Sequence, residues 1–163
     1  MKKLVVVIIA VWLSACGYHL RGAADMPEAL KNVYLEGASV SLREQFKLAI
    51  RPASGKLVGS PEQAGVLIKV FGENRSQRVL SLNERGRSNE LELSYRFDYE
   101  LATADNTPLI IRQPIEIKRE YFNNQQDILA KGNEETVIRK EMYQQAARAI
   151  VDRARVVLEA PAK

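Results

Sequence analysis

The chain has 163 residues, 46% apolar and 27% charged, with 24 Lys and Arg against 20 Asp and Glu, a formal charge of +4. That is enough for one domain with a sizeable core, and so mild a basic excess does not point to nucleic acid. One cysteine and one histidine disfavour a Cys/His pair, a Ser/His/Asp triad and a multi-histidine metal site, so no enzyme, metal or cofactor is expected.

Residues 1–15 read as a secretory signal. Lys2 and Lys3 precede an apolar run from Leu4 to Leu13, and Ser14 and Ala15 are the small residues of a cleavage point. The run is about half the roughly 20 residues that a spanning helix needs. Leu13, Ser14, Ala15 and Cys16 match the lipobox of bacterial lipoproteins. That resemblance implies a diacylglyceride on the Cys16 thiol, cleavage just before it and acylation of the new amino end. A free thiol after an ordinary signal is the other reading. The expected organisation is a signal at 1–15, a lipidated tether at 16–30 and a single domain at 31–160. Removing Lys2 and Lys3 leaves 22 basic residues against 20 acidic, or +2. Gly17 follows the cysteine. In many enteric-type lipoproteins an aspartate there favours inner-membrane retention, so glycine is compatible with the outer membrane.

Gly17, Gly22 and Pro27 suit a tether. Val33, Tyr34 and Leu35 predict a short strand closed by Gly37. Ser41 predicts a helix cap, with Glu44 completing a capping box. Leu42, Phe46, Ala49 and Ile50 share one face of that helix, and Pro52 stops it. Leu57 and Val58 predict another short strand. Val66, Ile68 and Val70 begin a longer one, which Val79 to Leu82 continue or resume. Residues 83–88 form a hairpin turn. Leu91, Leu93, Tyr95, Phe97, Tyr99 and Leu101 then alternate with polar residues, the period of a strand with one buried face. After a turn at 105–108, Ile115, Ile117 and Tyr121 mark a third strand and complete an antiparallel meander.

The last segment has helical spacing through Ile138, Met142, Ala146, Ala149, Ile150, Ala154 and Val157. Asn133 is its expected cap, with Gly132 separating it from a shorter turn near 127–130. The expected fold is α+β: two helices packed on one face of a largely antiparallel sheet. Leu93, Tyr95, Phe97 and Ile150 are expected in the core, and the aromatic series Tyr95, Phe97, Tyr99 reads as core rather than ligand site.

Cys16, Gly17, Tyr18, His19, Leu20 and Arg21 resemble the mature start of the LptE family of lipopolysaccharide-assembly lipoproteins. Leu129, Ala130, Lys131, Asn133 and Glu134, with Lys140, Glu141, Met142 and Tyr143, are similar to that family near the other end. The resemblance implies a non-enzymatic outer-membrane component that plugs an LptD-like β-barrel. It further implies help in inserting lipopolysaccharide into the outer leaflet and binding of lipopolysaccharide itself. Tyr18 and His19 are expected to pack the tether.

A phosphorylated glycolipid calls for cations, with Arg supplying bidentate bonds and Lys a point charge. Between Arg75 and Arg87 lie four arginines, Arg75, Arg78, Arg85 and Arg87, against one acid, Glu84. Arg78, Arg85, Arg87 and Lys131 are the expected lipopolysaccharide-binding residues; ordinary solvated charge is the competing reading. Arg139, Lys140, Arg148, Arg153 and Arg155 read as a solvated or barrel-facing helix surface. Two other classes stay open: a pilotin-like assembly lipoprotein for another outer-membrane machine, and a periplasmic hydrolase using paired carboxylates.

Overall fold

Residues 91–101 form the middle strand of the antiparallel meander, their alternation giving it a dry face and a wet face. The computed structural model describes residues 26–122 and 128–160, with the backbone alone for 128–133. Along the chain come β1 (Asn32–Glu36), α1 (Val40–Ile50), β2 (Lys56–Leu57), β3 (Val66–Leu82), β4 (Ser88–Thr103), β5 (Pro108–Phe122) and α2 (Ile128–Glu159). The strand order is β2-β1-β3-β4-β5. β1 runs parallel to β2 and β3, while β3, β4 and β5 form the antiparallel meander.

Both helices cover one face of the sheet, as the α+β reading requires. Leu42, Phe46 and Ile50 of α1 and Met142, Ala146 and Ile150 of α2 join Leu93, Tyr95, Phe97 and Leu101 of β4 in one buried cluster. The four residues expected in the core are at most 2% exposed. The chain is already committed to this core at Leu30, fully buried in a 3-10 turn at Glu28–Lys31.

Two caps differ from expectation. Ser39, not Ser41, caps α1: its hydroxyl accepts the Leu42 amide at 3.3 Å. Glu73 of β3 selects it, accepting from the Ser39 amide at 2.8 Å and its hydroxyl at 2.6 Å. Glu44, freed from the capping box, pairs with Lys47 at 2.6 Å. In α2 the helix is continuous from Ile128, so Gly132 and Asn133 are interior. A helix-interior glycine costs only about 1 kcal/mol relative to alanine, too little to break a helix that is anchored from Met142 onward in the core.

β3 is one strand of 17 residues, continued through a bulge. Phe71 pairs with Asp98 and Asn74 with Arg96, so Gly72 and Glu73 together oppose Phe97 alone. Gly72 has φ +61, the left-handed value that glycine adopts without strain. The extra residue reverses the parity of the strand. Glu73 turns to the helix side to cap α1, and Arg75 follows two residues later to meet Tyr143. Where β1 ends, Gly37 is forced by space: a Cβ there would sit 2.2 Å from the Val70 carbonyl oxygen. β1 therefore pairs only with Val66 to Lys69 of β3, and the sheet beyond is the bare β3–β4–β5 meander.

Candidate functional site

The end of the sheet farthest from β1 is built by the β3–β4 turn. Asn83 organises it. Its amide donates to the Arg87 carbonyl at 2.8 Å, and its side-chain oxygen accepts from the Arg85 amide at 3.0 Å and the Arg87 amide at 3.1 Å. An Asx-type arrangement of this kind fixes the backbone of a turn. Arg85 and Arg87 are thus carried on a defined tip, and both are exposed.

The other two arginines of the cluster are engaged elsewhere. Arg78 grips Glu92 of β4 with two prongs, Nε to Oε1 at 2.8 Å and Nη2 to Oε2 at 3.2 Å. The Glu92 side chain is 8% exposed and that of Arg78 66%. The guanidinium holds the Glu92 carboxyl below the usual carboxylate range, and the carboxylate raises Arg78 in turn. Arg75 donates to the Tyr143 hydroxyl at 3.0 Å, tying the hairpin to α2. Of the expected cations, Arg85 and Arg87 therefore share the turn. Arg78 stands further back in an ion pair.

Lys131 lies in the first turns of α2; its side chain, like Cys16, Tyr18 and His19, falls outside the described residues. The start of α2 is nevertheless brought to the hairpin end. Tyr121, near the end of β5 and opposite Leu91, donates its hydroxyl to Glu135 at 3.1 Å. Burial and the Glu135 carboxylate push that phenol up to about 12. Among the helix arginines, Arg139 pairs with Glu135 at 2.7 Å and Arg155 approaches Glu159 at 3.9 Å.

The sequence reading missed an apolar component at this end. Val79 is 52% exposed, Leu82 62%, Phe122 68% and Val137 54%. Val79 pairs with the buried Leu91 and Phe122 follows the buried Tyr121, while Leu82 adjoins the turn and Val137 lies near the start of α2. For Val79 and Leu82 the signal was the loss of alternation in Val79, Leu80, Ser81 and Leu82. Of these, Leu82 adjoins the turn that carries Arg85 and Arg87, and an apolar group near two cations suits an anionic amphiphile, whose charged and greasy parts need different neighbours.

Known proteins share the sequence and fold of this chain. The family model LptE, described as lipopolysaccharide-assembly, matches residues 30–154. The LPS-assembly lipoprotein LptE of Photorhabdus laumondii is 26% identical over 151 residues, 88% of this chain and 79% of the relative. That of Yersinia enterocolitica is 28% identical over 159 residues, 95% and 76% of the two chains. Among solved structures, the lipoprotein B solution structure from Nitrosomonas europaea is 30% identical with a TM-score of 0.69, covering 88% of this chain and 94% of its own. The rare lipoprotein B crystal structure from Shewanella oneidensis has the same fold at 24% identity and a TM-score of 0.62, covering 76% and 92%.

Proposed function

The chain belongs to the LptE lipopolysaccharide-assembly family, and on that premise we propose that it is the plug of an LptD-like β-barrel in the outer membrane. As a family member it is a membrane-anchored lipoprotein of lipopolysaccharide assembly, not an enzyme. The finer reading gives it three tasks: it holds on to the outer membrane through Cys16, occupies the barrel, and binds lipopolysaccharide while that lipid is inserted into the outer leaflet. The observation that carries this reading is the family match over residues 30–154, which takes in the whole sheet, α1 and α2 as far as Ala154.

The exposed end of the meander supports a direct role in lipid binding. Arg85 and Arg87 are the groups for the phosphates, with Lys131 joining from the start of α2. Arg78, its charge compensated by Glu92, adds little to the field at the turn. Leu82, which adjoins the turn, offers apolar surface to the acyl part.

A charge-reversal pair tests the site. Hydrogen bonds to charged groups contribute roughly 1.5–3 kcal/mol each. Arg85→Glu with Arg87→Glu should therefore weaken lipopolysaccharide binding by about tenfold or more. Lys56→Glu, an exposed residue on β2 at the far edge of the sheet, should bind as the parent does. Circular dichroism and thermal unfolding should show both variants folded, because the turn carries no core residue. Equal binding by two folded variants would remove the turn from the site.

A further inference from the structure

The face of the sheet away from the helices carries a concavity of about 450 Å³ at the β3 bulge. Phe71, Gly72, Asn74, Arg96, Asp98 and Arg112 line it. The bulge makes the hollow. Two residues of β3 oppose one of β4, Glu73 has turned to the other face, and a Cβ built on Gly72 would meet nothing within 4 Å.

The polar groups around this hollow fall into two sets. Arg112 is fixed, its guanidinium 3.8 Å from the centroid of the Phe71 ring and its Nε 3.3 Å from Glu100. Asn74, Arg96 and Asp98 are uncommitted: none makes a side-chain hydrogen bond or ion pair to another described residue. These three side chains are planar, and each offers paired donors or acceptors. Their charges balance, with Arg96 against Asp98 and Arg112 against Glu100. A bare phosphate would meet Asp98 as a like charge. An apolar ligand would cover three polar groups without satisfying them. A polyhydroxylated ligand both donates and accepts, and its ring C–H groups pack beside an aromatic. The volume lies within the range of small-ligand sites.

We propose that this concavity binds a saccharide segment of the glycolipid, Asp98 accepting from its hydroxyls and Asn74 and Arg96 bonding them beside the Phe71 ring. The inference rests on the reading of the chain as a lipopolysaccharide-binding assembly protein. It assigns that ligand a second contact, on the opposite face of the sheet from the helices and separate from the β3–β4 turn.

The test uses the full lipidated chain in detergent. The probe is core oligosaccharide freed from lipid A by mild acid and stripped of phosphate by a phosphatase. It should bind the parent and shift the backbone amide resonances of residues 71–74 and 96–98. Arg96→Ala with Asp98→Ala should weaken it by about tenfold, while Arg85→Glu with Arg87→Glu should leave it unchanged. Inorganic phosphate should not compete. Full binding by the Arg96/Asp98 variant, competition by phosphate, or amide shifts confined to other residues would overturn the proposal. So would failure of the oligosaccharide to bind a parent protein that binds intact lipopolysaccharide; that result fells this inference alone. If intact lipopolysaccharide also fails to bind the parent, the assembly reading falls with it. The amide shifts are measured on the parent, so the test stands even if the double variant misfolds.

Discussion

Replacing Cys16 with serine will abolish acyl labelling and move the protein out of the detergent phase. A thioether to diacylglyceride needs the thiol, and Cys16 is the only one in the chain. Each buried acyl methylene contributes about 0.8 kcal/mol, and two or more chains make anchoring stable. Losing all of them is the largest single effect expected of any substitution here. Metabolic labelling with palmitate, followed by detergent-phase partition, measures both parts. Lipid retained on Cys16→Ser would overturn the assignment of the anchor. A tight barrel complex can hold the unlipidated protein at the membrane, so the labelling decides, not fractionation alone.

Truncating Phe97 to alanine will cost about 3–5 kcal/mol of folding stability, the usual range for a buried phenylalanine. Phe97 is 1% exposed, and its ring lies 5.2 Å from that of Tyr95. Tyr95 in turn meets Tyr143 of α2 edge to face at 4.8 Å. The three rings couple the centre of the sheet to the long helix, so the space left by Phe97 opens within that contact. Chemical denaturation should show a lower midpoint with an unchanged slope. Ile111→Ala, at a position 74% exposed, should stay within about 0.5 kcal/mol of the parent. An unchanged midpoint for Phe97→Ala would contradict the packing described for β4.

What could be read from the sequence follows from how local each cause is. The strand at 91–101 was legible because one buried face imposes a period of two on its own residues. The apolar stripe of α2 was legible for the same reason, with a period near 3.6. The cap of α1 was not, since Ser39 and Ser41 are equally good caps. The choice between them is made by Glu73, 34 residues away, which only the bulge in β3 turns toward the helix. That bulge had a faint signal in Gly72, a lone glycine inside a strand pattern.

The candidate site divides in the same way. The charge excess from Arg75 to Arg87 is a count, and a sequence shows counts. The pairing of Arg78 with Glu92 depends on the register between β3 and β4, and the burial of Glu92 depends on that pair. The exposure of Val79, Leu82 and Phe122 depends on what packs over each face of the strands, which no residue encodes by itself.

Affinity isolation of the full lipidated chain from outer membranes, with identification of the co-purifying barrel, tests the proposed function most directly. An LptD-like barrel, recovered together with lipopolysaccharide, is the predicted result. Recovery of a secretin or another barrel without lipopolysaccharide would contradict it, and would make the chain a pilotin-like assembly factor built on this fold.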